Sequence, residues 1–189
     1  MSERLNIPGL GILTDETGLL SLDACSDGAF RVGHDGVERI LTPADARVEF
    51  VVFAGGIPKK SEIQQAKACG ARTICFASTE PLAMSLIERG ADALMLEGSE
   101  AGGHIGPVAL PVLIQQILFQ VDQVPVFIAG GIATGRMMAH LLMMGAAGIQ
   151  MGTRFVLSDE CIAHPNFKEA FKRAKARDAV ATPQFDSRL

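Results

Sequence analysis

Between residues 97 and 107 the chain reads EGSEAGGHIGP, with two carboxylates, a histidine and glycines at 98, 102, 103 and 106 directly after an apolar run. Glycine lets the backbone approach a ligand closely and present N–H groups with no side chain in the way. His104 is the group here that can give or take a proton near neutral pH. A second segment, AGGIATGR at 129–136, follows another apolar run. Gly130 and Gly131 leave strand geometry there, and Thr134 or Gly135 can open a helix whose first N–H groups suit a phosphate. A third segment, QMGTRF at 150–155, supplies Gln150, Met151, Gly152 and Thr153, which add backbone, amide and hydroxyl hydrogen-bonding groups. The chemistry this set can do is to cradle an anionic group beside a proton-handling histidine.

Those residues act together only if the fold brings them to one place. From about Val48 onward, short apolar or β-branched runs alternate with helix-length stretches. The runs are EFVVFAG (49–55), RTICFA (72–77), DALMLEG (92–98), VPVFIAG (124–130) and AGIQMG (147–152). The stretches are about Lys59–Cys69, Glu80–Arg89, Leu110–Val121 and Gly135–Met144. Strands apolar on both faces and separated by amphipathic helices predict βα units on a parallel sheet. Gly70, Gly90 and Gly145 stand where left-handed helix ends are expected, each just before Ala and a buried strand. VVFAGGI at 51–57 returns as VFIAGGI at 126–132, and Gly70-Ala71 returns as Gly145-Ala146, both at one constant offset. That regularity supports repeated βα architecture.

A doubly wound sheet would announce itself with a GxGxxG turn after its first strand. The chain has none, whereas polar and glycine-rich material recurs at the C-terminal end of strand after strand. That is the pattern of an α/β fold of the (β/α) TIM-barrel type, with its site on the strand-C-terminal face. About five βα units are visible, so the barrel is read as partial, residues 49–189 being its C-terminal part and residues 1–48 an atypical N-terminal segment. Within that segment GAFRVGHDGVERIL (28–41) predicts a short hairpin turning at His34-Asp35-Gly36.

Composition narrows the partners. With 48% apolar and 20% charged residues, the 189-residue chain has the balance of one globular domain. A net charge of −4, no Trp, no Tyr and ten Phe argue against a nucleic-acid surface. The stretch 110–132 is broken by Gln115, Gln116, Gln120, Asp122, Gln123 and Pro125, so no membrane span is expected. The first residues carry no secretory pattern, and Cys25, Cys69, Cys75 and Cys161 form no CxxC pair. A cytoplasmic protein with reduced, inert thiols and no metal site is expected. His140 reads as packed against the barrel, His164 as a helix cap, and the methionines of 135–144 as core filler.

EGSEAGGHIGP, PVFIAGGIATGR, GAAGIQMGTRF and ECIAHPNFKEAF, in that order, resemble the nitronate monooxygenase (2-nitropropane dioxygenase-like) family, which includes the FMN-dependent enoyl-ACP reductase II enzymes. The resemblance runs from about Phe50 to Asp186. It implies an FMN-binding TIM barrel in which Gly102, Gly103, Gly130, Gly131, Gln150, Met151, Gly152 and Thr153 hold the cofactor and Glu97 is a flavin contact. It implies that His104 is the catalytic histidine. The expected activity is oxidation of alkyl nitronates with O₂. The alternatives are reduction of an enoyl thioester with NAD(P)H, and a non-catalytic truncated barrel that at most binds a phosphate ligand. Expected partners are a small-molecule substrate and either a second copy of the chain or a complementing barrel half.

Overall fold

The computed structural model describes residues 50–54, 56–103 and 105–181, together with the backbone of five short strands between Thr14 and Leu41. His104 lies outside the described residues. Strands β1 (Thr14–Asp15) and β2 (Gly18–Leu19) pair antiparallel, and β3 (Ser21–Ala24), β4 (Phe30–His34) and β5 (Val37–Leu41) form an antiparallel meander. The antiparallel pairing expected of a hairpin over 28–41 is present between Phe30–His34 and Val37–Leu41, with Asp35 and Gly36 outside the described residues. His34 belongs to the strand, opposite Val37, rather than to the turn.

Five parallel strands follow: β6 (Phe50–Phe53), β7 (Arg72–Ala77), β8 (Ala93–Glu97), β9 (Val126–Ala129) and β10 (Gly148–Gln150). Their order in the sheet is β10-β9-β8-β7-β6. Each crossover steps one strand in the same direction, with no reversal of the kind a doubly wound sheet requires. This is an arc of a (β/α) barrel.

Helices α1 (Lys60–Ala68), α2 (Glu80–Arg89), α3 (Leu110–Leu113), α4 (Gly135–Met143), α5 (Thr153–Val156) and α6 (Pro165–Arg173) connect and flank these strands. Gly70, Gly90 and Gly145 all adopt the left-handed region that the sequence assigns them, with φ of 84°, 98° and 105°. The helix expected from Leu110 to Val121 starts as α3 and widens into a π-turn over Ile114–Leu118. Gln115 explains the change locally, because its side-chain amide donates to the Pro111 carbonyl at 2.9 Å, the acceptor an α-helix would give to its backbone.

The period-two alternation of strands sorts the sheet into two faces. Cys75, Ala77, Leu94, Leu96, Val126 and Ile128 pack with the helices in the main core, joined by Leu86, Leu113, Ile117 and Leu141. The opposite face carries Ile74, Phe76, Ala93, Met95, Phe127 and Ala129, with Phe50 against them. Glu97 continues the row of Ala93 and Met95, and Gln150 is paired with Ala129, so both belong to this second face. Gly148 sits where a Cβ would lie 2.8 Å from the Phe127 ring, so the missing side chain makes room for that phenylalanine.

Helix α4 departs from expectation. Only Leu141 of its residues is buried, while Met137, Met138, Leu142 and Met143 are exposed, so they are not core filler. His140 is exposed too, with Nδ1 2.7 Å from the Arg136 carbonyl, and is not packed against the barrel. A helix apolar round most of its circumference offers more surface than one sheet can cover, and among its residues only Leu141 is buried. His164 does cap α6, its Nδ1 accepting from Asn166 N–H at 3.2 Å. Among the described residues no helix is long and apolar enough to cross a membrane.

The strand-N-terminal side is held by a polar cluster. Lys67 Nζ donates to Asp92 at 2.7 Å and to the Gly90 carbonyl at 2.9 Å. Thr73, fully buried, donates to the other Asp92 oxygen through both its N–H and its hydroxyl, each at 2.9 Å. Burial of Asp92 opposes ionisation, but these donors and the Lys67 charge outweigh it and hold the carboxyl below its usual range. A depressed folded-state pKa gives stability that is present above the ordinary carboxylate pKa of about 4 and disappears as pH falls through the folded value. Asp92→Asn is therefore expected to cost about 1–2 kcal/mol at pH 7. In denaturant titrations that deficit narrows below about pH 4.

Candidate functional site

The site is built where three neighbouring strands end. Glu97, the last residue of β8, is paired with Ala129, the last of β9, and Ala129 with Gln150, the last of β10. Adjacent strands lie about 4.8 Å apart, so the loops after all three emerge side by side. EGSEAGG, AGGI and QMGT, distant in sequence, thus share one edge.

The first loop is fastened to itself. Gly98 O accepts from Ala101 N–H and from Gly106 N–H, both at 3.2 Å, and Ser99 N–H donates to Val108 O at 2.9 Å. Gly98 and Gly106 are both buried. A Cβ on Gly106 would lie 2.6 Å from the Glu97 carbonyl oxygen, and one on Gly98 would lie 2.6 Å from the Leu110 nitrogen. These two glycines are required by the chain's own packing. Gly103 is required by its backbone, at φ 86°. Gly102 falls in neither class: it is exposed, it lies outside the left-handed region, and a Cβ there would meet nothing within 4 Å.

The second loop leans on the first. Gly130 and Gly131 both have positive φ, at 88° and 66°. A Cβ on Gly130 would come within 3.1 Å of Ala101 backbone atoms, and one on Gly131 within 3.1 Å of Glu100 Cβ. Thr134 then caps α4, its hydroxyl accepting from Met137 N–H at 3.2 Å, as the sequence leads one to expect. That N–H is committed to the chain's own cap.

In the third segment Gln150 is exposed at the end of β10, and half-buried Met151 packs against the helix-side core. Gly152 precedes α5 and Thr153 opens it, both exposed, and a Cβ on Gly152 would again meet nothing within 4 Å. Among the described residues, nothing occupies the space beside Gly102 or Gly152.

The two acids of the first loop have separate places. Glu97 is half-buried on the second face of the sheet. Glu100 is turned to the helix, its Oε2 accepting from Leu110 N–H at 2.9 Å. No local pattern signals this division, since the partner of Glu100 lies ten residues on. Cys75 lies away from the site, buried in the helix-side core, where burial pushes its pKa up to about 12, with Asp92 adding to the effect. Cys69, Cys75 and Cys161 are free. Among the described residues no group of three His, Cys, Asp or Glu is placed to hold a metal.

Comparison with known proteins agrees with this architecture. The sequence profile of the family described as "Nitronate monooxygenase" matches residues 22–189, reaching further towards the N-terminus than the motifs alone. A "(3aS,4S,5R,7aS)-5-hydroxy-7a-methyl-1-oxo-octahydro-1H-indene-4-carboxyl-CoA dehydrogenase" of Mycobacterium tuberculosis is 34% identical over 98% of this chain and 56% of its own length. A "Probable nitronate monooxygenase" of Staphylococcus aureus is 34% identical over 76% of this chain and 43% of its own. The structure of FabK from Thermotoga maritima superposes with a TM-score of 0.68 at 41% identity, covering 73% of this chain and 44% of that one. The chain spans about half the length of the curated relatives it matches.

Proposed function

The chain belongs to the nitronate monooxygenase family, and from that premise we propose that it binds FMN across the ends of β8, β9 and β10 and oxidises alkyl nitronates with O₂. The observation that carries this reading is the aligned row Glu97–Ala129–Gln150, with loops whose Gly102 and Gly152 border space that no described residue fills. An approaching phosphate needs such backbone, free of side chains and presenting N–H groups.

In this reading Gly102, Gly103, Gly130, Gly131 and Gly152 shape the cradle. Met151 contributes backbone, and Gln150 and Thr153 contribute side-chain hydrogen bonds. Glu97 stands at the flavin end of the row. FMN, when bound, supplies the two-electron redox chemistry. His104 follows Gly103 directly in the chain and is assigned the substrate side, where it orients the nitronate and handles its proton. Residues 49–189 supply the C-terminal part of the FMN barrel, and residues 1–48 an atypical N-terminal segment.

The purified chain, incubated with FMN, is expected to consume O₂ and release nitrite from a propane nitronate. His104→Ala should lower kcat by about 10²–10⁴-fold with FMN retained. Absence of flavin absorbance after incubation would sink the reading. A second reading, reduction of an enoyl thioester with NAD(P)H, draws support from the likeness to a carboxyl-CoA dehydrogenase and to FabK, an enoyl-ACP reductase II. NADPH consumption driven by crotonyl thioester, with no nitrite from nitronate, would select it. Bound FMN with neither turnover would leave a phosphate-binding barrel fragment without catalysis.

A further inference from the structure

We propose that Glu100 is a positioning residue that fixes both glycine loops of the site at once, a role that rests on reading those loops as the FMN cradle. Its carboxylate accepts from Leu110 N–H at 2.9 Å, and Ser99 Oγ donates to the same oxygen at 3.4 Å. Leu110 opens α3, and Leu110 and Leu113, with Ile114, Ile117 and Leu118 of the following π-turn, are buried in the helix-side core. The anchor is therefore rigid. A negative charge at the first N–H of a helix is favoured twice, by the hydrogen bond and by the helix dipole.

The other side of Glu100 holds the second loop. Its Cβ and Cγ lie 3.1 and 3.7 Å from where a Cβ of Gly131 would be, and its carbonyl carbon lies 3.3 Å from that of Gly130. The next residues along the chain are Ala101, which touches Gly130, and then Gly102 and Gly103. One side chain thus sets the height of Gly102–Gly103 above the sheet and gives the Gly130–Gly131 turn its backstop. Reach matters as much as charge: aspartate is one methylene shorter and withdraws the acceptor from Leu110, while glutamine keeps an oxygen at the right distance.

The test uses Glu100→Asp, Glu100→Gln and Glu100→Ala in the full chain, without cofactor and then with FMN. In an amide proton–nitrogen correlation spectrum of the cofactor-free protein, Asp and Ala should move the peaks of Gly130 and Gly131 together with those of Gly102 and Gly103. Gln should leave all four near their parent positions. FMN affinity, read by quenching of flavin fluorescence, should weaken about tenfold for Asp and Ala and stay within about threefold for Gln. Unmoved Gly130 and Gly131 peaks in the Asp variant, or a Gln variant as weak as Ala, would overturn the role. A parent chain that binds no FMN refutes the proposed function instead, and the cofactor-free spectra still decide the role of Glu100. An Ala variant that does not fold leaves the Asp and Gln comparison to decide.

Discussion

Replacing Gly102 by leucine is expected to remove FMN binding while leaving the folded chain as stable as the parent. The two halves of that expectation come from the same observation. Among the described residues, no atom lies within 4 Å of a Cβ at position 102, and the backbone there does not need glycine. A larger residue therefore creates no clash, and by restricting the unfolded chain it even adds a few tenths of a kcal/mol. The space it enters is the one assigned to the cofactor phosphate. Closing it should weaken FMN by about 100-fold or more, roughly 2.8 kcal/mol at about 1.4 kcal/mol per decade. The measurement is a pair of experiments on one sample: thermal unfolding without cofactor and flavin fluorescence titration. A leucine variant that binds FMN like the parent would return this segment to an ordinary glycine-rich turn.

Gly106→Ala is expected to do the reverse and damage the fold itself. Its Cβ would lie 2.6 Å from the Glu97 carbonyl oxygen and 2.9 Å from Ser78 Cβ. The first of these is backbone in the sheet, which cannot yield cheaply, so one methyl group must displace the end of β8 or open the loop held by Gly98 O. A cost of about 2–4 kcal/mol follows from overpacking against atoms that do not move. Urea unfolding should show a lower midpoint with little change in slope, whereas unchanged stability would mean that the loop end is not held as described.

These two residues lie four positions apart in one motif, and nothing in the letters tells them apart. That contrast marks what the sequence makes legible and what it does not. Strand positions, the one-directional run of βα units, the left-handed Gly70, Gly90 and Gly145, the antiparallel pairing within 30–41 and the caps at Thr134 and His164 rest on local rules, and all are present. The alignment of Glu97, Ala129 and Gln150 depends on strand register, which is set by packing across the sheet. The partner of Glu100 and the clash partners of Gly98 and Gly106 are likewise tertiary. The exposed methionines of α4 mislead for a related reason: apolar composition says that a helix can be buried, and only its neighbours decide how much of it is.

The most direct test of the account compares FMN with riboflavin, which differs only by lacking the phosphate. If the ends of β8, β9 and β10 form a phosphate cradle, fluorescence titration of the purified chain should show FMN bound at least about 30-fold more tightly than riboflavin, roughly 2 kcal/mol. The Gly102→Leu variant should erase that difference. Equal affinity for the two flavins, or no binding of either, would contradict it.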